Sequence, residues 1–421
     1  MPRQHLDAFT FGIENKQFKS KLVSFSYFHS PFLRHTENKE LNLKLVSFPQ
    51  FKFSAAALVI SLLATLPLAA ECQLPDSTPD SLPALTPAQL VESGHYRHAA
   101  ELLEPIVNDH PEDGQSAWLL SRAKTSLGEL DTAMTLAETA LATDDANPAY
   151  HVQVALVAGK MAQGAGLLKQ LTLVRRAKKE LDAALALDPA NPPAQYGLMM
   201  FYYAAPSLIG GDKTRARQIG ETIAASKPDM GYYYLGRLSV EMKDFPAAES
   251  YFQRSLAENP KRFDTLAALG KLYEEMQPDQ PHAEEIACLA VHTDPTRGEA
   301  WALLARAYVM CGCWDQAADA IAHAQQADPA NLIPYYLAGA GAIERGENLD
   351  LATGYLAKYL AQPPEGDAPT EAYAHWQLGL ALEKQGNNPQ AAAELQLALD
   401  RDPALEAAKA ELKHINLEAK R

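Results

Sequence analysis

Apolar positions along most of this chain follow a helical rhythm that is broken at regular intervals. In the segment from Gly298 to Asn331, Trp301, Leu304, Ala305 and Tyr308 fall on one face at helical spacing. Gly312 then supplies a turn, and Ala317, Ile321 and Ala324 form the facing stripe of a second helix. Pro329 cannot continue that helix and marks where the next unit begins. The same pattern runs through the whole body of the chain. An alanine recurs at Ala99, Ala133, Ala177, Ala216, Ala248, Ala283, Ala317, Ala352 and Ala391, and a proline stands twelve residues after eight of these nine. Asp145 is the exception. Small residues at these positions allow two helix backbones to approach closely, so the pattern predicts nine helix-turn-helix units.

On these residues the chain resembles the tetratricopeptide-repeat family, whose unit is roughly 34 residues. Trp301, Leu304, Ala305, Tyr308, Gly312, Trp314, Ala317, Ile321, Ala324 and Pro329 stand at the signature positions. The resemblance implies an all-α, right-handed superhelical solenoid of about nine units over residues 88–404. A last helix, within 405–421, would cap the exposed end. It also implies that the first helix of each unit lines a concave surface and points two of its positions into it. One row then holds Trp118, Tyr196, Tyr233, Tyr336 and Trp376, and the next holds Arg122, Arg237, Lys271 and Arg306. Aromatic anchors beside cations suit a protein or peptide partner, with an acidic segment or a chain terminus met by charge-assisted bonds. The arrangement is similar to the carboxylate clamps of this family but lacks their asparagines. Glu241 and Glu275, four residues after Arg237 and Lys271, offer the plainer alternative of surface pairs.

The period is disturbed in one region. Spacings between successive alanines are 34, 44, 39, 32, 35, 34, 35 and 39. The longest contains Leu167, Leu171, Val174, Leu181 and Leu185, which predict a second helix lengthened by up to three turns. The next contains a Pro and Gly-Gly loop within residues 202–216. Both departures fall at the same end of adjacent units and are expected to cover one another. Arg175, Arg176, Lys178 and Lys179 give this edge a basic patch and make it a second candidate for contact.

Ahead of the repeats, residues 1–70 form an upstream extension ending in a 17-residue apolar run, Ser54 to Ala70, preceded by Lys44 and Lys52. This reads as a secretory signal with a cleavage point after Ala70, followed by a Pro-rich linker over 71–87. A periplasmic or secreted protein is expected, with an uncleaved inner-membrane anchor as the alternative. The long extension suggests that translation starts near Leu43 to Val46. Net charge is -15. Residues 1–70 hold 8 Lys/Arg against 4 Asp/Glu, so the remainder carries 29 against 48, or -19. An acidic body argues against nucleic acid as a partner.

Catalytic and cofactor patterns are not recognisable. Cys72, Cys288, Cys311 and Cys313 make no disulfide framework, although a Cys311 to Cys313 link is possible. These two with His282 fall short of a four-ligand metal set. Gly210 to Thr214 lacks the glycine spacing of a phosphate loop. The sequence therefore points to a scaffold or adaptor that is not an enzyme and has no small-molecule substrate. A structural subunit of an envelope machine, acting through the convex face or the 166–216 edge, is the alternative.

Overall fold

A computed structural model describes residues 85–275, 280–365 and 368–418. The apolar run 54–70, Cys72 and nearly all of the linker lie outside the described residues. Within them the chain is all-helical, with nineteen α-helices. The first three pairs are α1 (Pro87–Ser93) with α2 (Tyr96–Asp109), α3 (Gly114–Ser126) with α4 (Leu130–Thr143), and α5 (Pro148–Gln163) with α6 (Leu167–Leu187). The middle pairs are α7 (Pro192–Ala204) with α8 (Lys213–Ser226), α9 (Pro228–Glu241) with α10 (Phe245–Glu258), and α11 (Phe263–Glu275) with α12 (Gln280–Thr293). The last are α13 (Gly298–Cys311) with α14 (Trp314–Ala327), α15 (Ile333–Arg345) with α16 (Leu349–Tyr359), and α17 (Glu371–Lys384) with α18 (Asn388–Arg401). Helix α19 (Glu406–Glu418) closes the end, burying Leu405, Ala408 and Ile415 against the last pair.

Helix starts follow from local chemistry. Asp113, Asn147, Asn191, Asp212 and Asp244 each accept backbone N–H bonds at the first turn of the helix they precede, satisfying donors that have no helical partner. Between the two helices of a pair the chain turns through left-handed glycines at Gly94, Gly128, Gly312, Gly346 and Gly386. All nine recurrent alanines are at most 2% exposed, so each second helix lies close on the first. The first helices also stack on one another from pair to pair, as in α11 on α13 and α13 on α15. Cores are thereby continuous across units: one joins α11 to α17 and another joins α5 to α12.

The short interval of 32 has a simple cause. Lys227 is both the C-cap of α8 and the N-cap of α9, with Pro228 opening the new helix, so the usual loop is missing. Helix α6 has 21 residues where α8 has 14, a gain of seven, or about two turns. Its lower part is tied to α5 through buried Glu180, which meets His151 at 2.6 Å and Arg176 at 2.8 Å. Val174 is buried, but Leu167 and Leu168 at the tip are 60% and 81% exposed. The Gly-Gly loop folds back on its own helix. Asp212 N–H donates to Tyr202 C=O at 2.8 Å, Lys213 lies over Tyr203 and Arg215 over Tyr202. Lys178 reaching over Phe201, 5.9 Å from the ring centre, links the long helix to this end of α7. Mutual cover is therefore partial, and the tip of α6 stands clear.

One set of contacts joins the first unit to loops far along the chain. The α1–α2 turn meets three successive loops between later units. His95 Nδ1 lies 2.9 Å from Asp328 Oδ1, with both side chains under 10% exposed. Arg97 Nε is 2.7 Å from Glu365, its backbone N–H also donates to that carboxylate, and its Nη2 donates to Pro363 C=O. Arg297 Nη2 donates to Glu92 C=O at 3.5 Å. Burial pushes the Glu365 carboxyl up, against the pull of Arg97.

Candidate functional site

The first helices α9, α11 and α13 bring together a row of aromatic and charged side chains. Tyr233 and Arg237 lie one helical turn apart on α9, and Arg237 Nη1 donates to the Tyr233 hydroxyl at 3.0 Å. Arg262, which enters α11, lies over the Tyr233 ring at 5.6 Å and is held by Asp229 at 2.7 Å. Further along α11, Lys271 reaches across to Glu299 at the start of α13, 2.8 Å away. Arg297, just before α13, packs over Phe263 at 4.3 Å from the ring centre. Eight aromatic and charged side chains thus meet on, or at the entry of, three neighbouring first helices.

Electrostatics favour the charged forms of Arg237 and Glu299. The Arg237 guanidinium is held well above its usual value, first by Tyr196 and then by Tyr233. Burial pushes the Tyr233 phenol up, with Arg237 opposing. Burial also works against a charge on Glu299, but Lys271 more than offsets it and the carboxyl is held below its usual value. Glu241 is pushed up by burial despite the attraction of Arg237. At neutral pH these shifts leave Arg237 cationic and Glu299 anionic.

The nine residues singled out from the sequence have unequal access. Lys271 is exposed, and Arg237 and Trp118 are partly so. Arg122 lies over the Trp118 ring at 5.0 Å and is 7% exposed, while Trp118 itself leans on Tyr150. Tyr196 stacks on Tyr234 with ring centres 4.6 Å apart, and Tyr233 adjoins Tyr234 and Phe252. Tyr336 is fully buried against Tyr359, and Trp376 is 6% exposed beside Tyr373. Arg306 is 2% exposed: Glu274 lies 3.6 Å away on α11, Glu344 lies 3.2 Å away on α15, and the Leu337 carbonyl accepts from Nη1. Its position therefore ties three units together instead of offering charge to a partner. Trp118 and Trp376 stand several units from Arg237, so the accessible cations that remain in neighbouring units are Arg237 on α9 and Lys271 on α11.

The plain alternative holds in part, since Glu241 attracts Arg237, while the side chain of Glu275 lies outside the described ones. Arg237 is bonded to Tyr233, and Lys271 pairs across units with Glu299. Residues missed in the sequence, Arg262, Arg297 and Glu299, sit at the starts of first helices, immediately after the inter-unit proline or loop. Their signal is a charge at the entry of two successive first helices, a position outside the aromatic and basic rows. On the edge, Arg176 is paired with Glu180 and Glu138 and Lys178 with Asp182, while Arg175 and Lys179 are exposed. Cys311 and Cys313 are joined as a disulfide, so neither offers a free thiolate beside His282.

Comparison with known proteins agrees with this architecture. A family model described as Regulator of microtubule dynamics protein 1-3 matches residues 88–233. A tetratricopeptide-repeat model matches residues 344–406. No curated protein matches the chain. Among solved structures, yeast Tom70 is 14% identical at a TM-score of 0.46, with 79% of this chain and 80% of that one covered. A tetratricopeptide-repeat protein from Parabacteroides merdae is 19% identical at 0.43, covering 58% and 93%. A thermophilic one from Thermus thermophilus is 18% identical at 0.39, covering 45% and 95%.

Proposed function

Because the chain is a tetratricopeptide-repeat protein, built of helix pairs that act in general as protein-binding scaffolds, we propose that it holds an extended protein segment on its concave face along α9, α11 and α13. The observation that carries this reading is the row of Tyr233, Arg237, Arg262 and Lys271. It sets three cations that are partly or wholly accessible around a nearly buried phenol that braces two of them. A cation that keeps some contact with water in a crowded surface can exchange its present partner for a carboxylate of the ligand at little cost in desolvation. An acidic segment or a free chain end fits that chemistry, and no catalytic role is assigned to the row. We take the chain to be exported, on the strength of the apolar run 54–70; among the described residues no helix is long and apolar enough to cross a membrane.

Capture of partners from envelope extract, with wild type set against an Arg237→Gln and Lys271→Gln double variant, tests the assignment. Loss of the captured partner with helicity unchanged is the expected outcome. Equal capture by both chains would remove the row from consideration. Exposure of Leu167 and Leu168 favours a second reading, a structural subunit of an envelope assembly docking through the tip of α6. In that case a Leu167→Ser and Leu168→Ser variant loses the partner, and the double-glutamine variant retains it.

A further inference from the structure

Repeat solenoids are quasi-one-dimensional: each unit touches its neighbours and nothing further along. The contacts of His95, Arg97 and Glu92 depart from this rule, because they join the first unit to the loops that follow the sixth, seventh and eighth. Sequence separations reach 268 for Arg97 to Glu365 and 205 for Glu92 to Arg297. The match is chemical on each of the three loops. A nearly buried imidazole meets Asp328, a guanidinium and a backbone N–H share Glu365, and Arg297, itself braced by Asp294 at 3.3 Å, donates to a carbonyl in the last turn of α1. Charges are withdrawn from water only where geometry returns the cost. Asp328 and Glu365 are also close enough to repel, so without the hairpin two like charges would face each other on this rim.

We propose that the α1–α2 hairpin is a latch, which closes one superhelical turn on itself and holds the concave row at a fixed curvature. The closure also bars sideways approach between successive turns at this rim. If the concave row is the binding surface, as proposed above, a partner then enters along the superhelix axis, which an extended or terminal segment can do and a folded surface loop cannot. A partner too broad for that route has to displace the hairpin first.

Small-angle scattering from the full chain without ligand tests the latch by itself. Arg97→Glu sets like charge against Glu365 and should raise the radius of gyration with far-UV helicity unchanged. Adding Glu365→Arg to the same chain should bring the radius back. A radius that Arg97→Glu leaves unchanged would overturn the proposal, as would an expansion that the charge swap does not reverse. If Arg97→Glu lowers helicity, the milder His95→Gln and Arg97→Gln pair takes its place, and a radius equal to wild type again overturns the latch. Since no partner enters this measurement, failure of the capture experiment leaves its result standing, and the converse also holds.

Discussion

Arg306 illustrates how far a residue's register predicts its role. Its position in the repeat aligns with Arg237 and Lys271, and alignment alone assigned all three to an open row. What separates them is the company each keeps. Glu274 and Glu344 come from the units before and after, and they enclose Arg306 while Lys271 stays exposed. The sequence holds both glutamates, but only the stacking of units shows that they converge. The C-terminal end offers a measurable case of the same crowding. Burial, and then a hydrogen bond with Glu383, push the Glu411 carboxyl up to about 7, while His414 pulls the other way. An unfolded glutamate titrates near 4.3, so the folded state binds the extra proton between about 4.3 and 7. Stability contributed by α19 is therefore greatest at the acid end of this window and falls as pH rises through it. Thermal melts from pH 5 to 8 should show this decline, and Glu411→Gln should flatten it; a variant that declines toward pH 8 as steeply as wild type would refute the assignment.

At the scale of elements, the alternation of large and small residues made the pairing legible. Recurrent alanines marked the close faces, left-handed glycines marked most of the turns, and inter-unit prolines marked most of the ends. Gly236 on α9 shows how tight the faces are. A Cβ placed there would lie 2.5 Å from the Phe252 ring on α10, closer than real contacts allow. Gly236→Ala should therefore force the ring or the helix aside and cost about 1–3 kcal/mol, read as a lower urea midpoint at unchanged slope. Legibility failed where an element ends for a reason with no sequence signature. The lengthening of α6 was readable from its apolar stripe. That its tip would remain uncovered was not, because the Gly-Gly loop finds its partners, Tyr202 and Tyr203, on its own helix.

For the whole molecule, local signals carry the helix pairs and their order, and they carry nothing about the return of the first unit to the rim of the later ones. His95, Arg97, Asp328 and Glu365 have no periodic relation, and each reads as an ordinary surface residue. This return gives the array a property that open repeat arrays do not have. An open solenoid tolerates the gain or loss of a unit, because each interface knows only its neighbour. Here the angle between the first hairpin and the rim is the accumulated rotation of the units between them. Inserting one additional 34-residue-type unit between α10 and α11 should leave every local interface intact while turning Glu365 out of reach of Arg97. Expansion in scattering at preserved helicity per residue is the expected result, and a compact product would show that the contact does not depend on unit number. The chain, in effect, counts its own repeats, and changes in its length are constrained to those that keep the count.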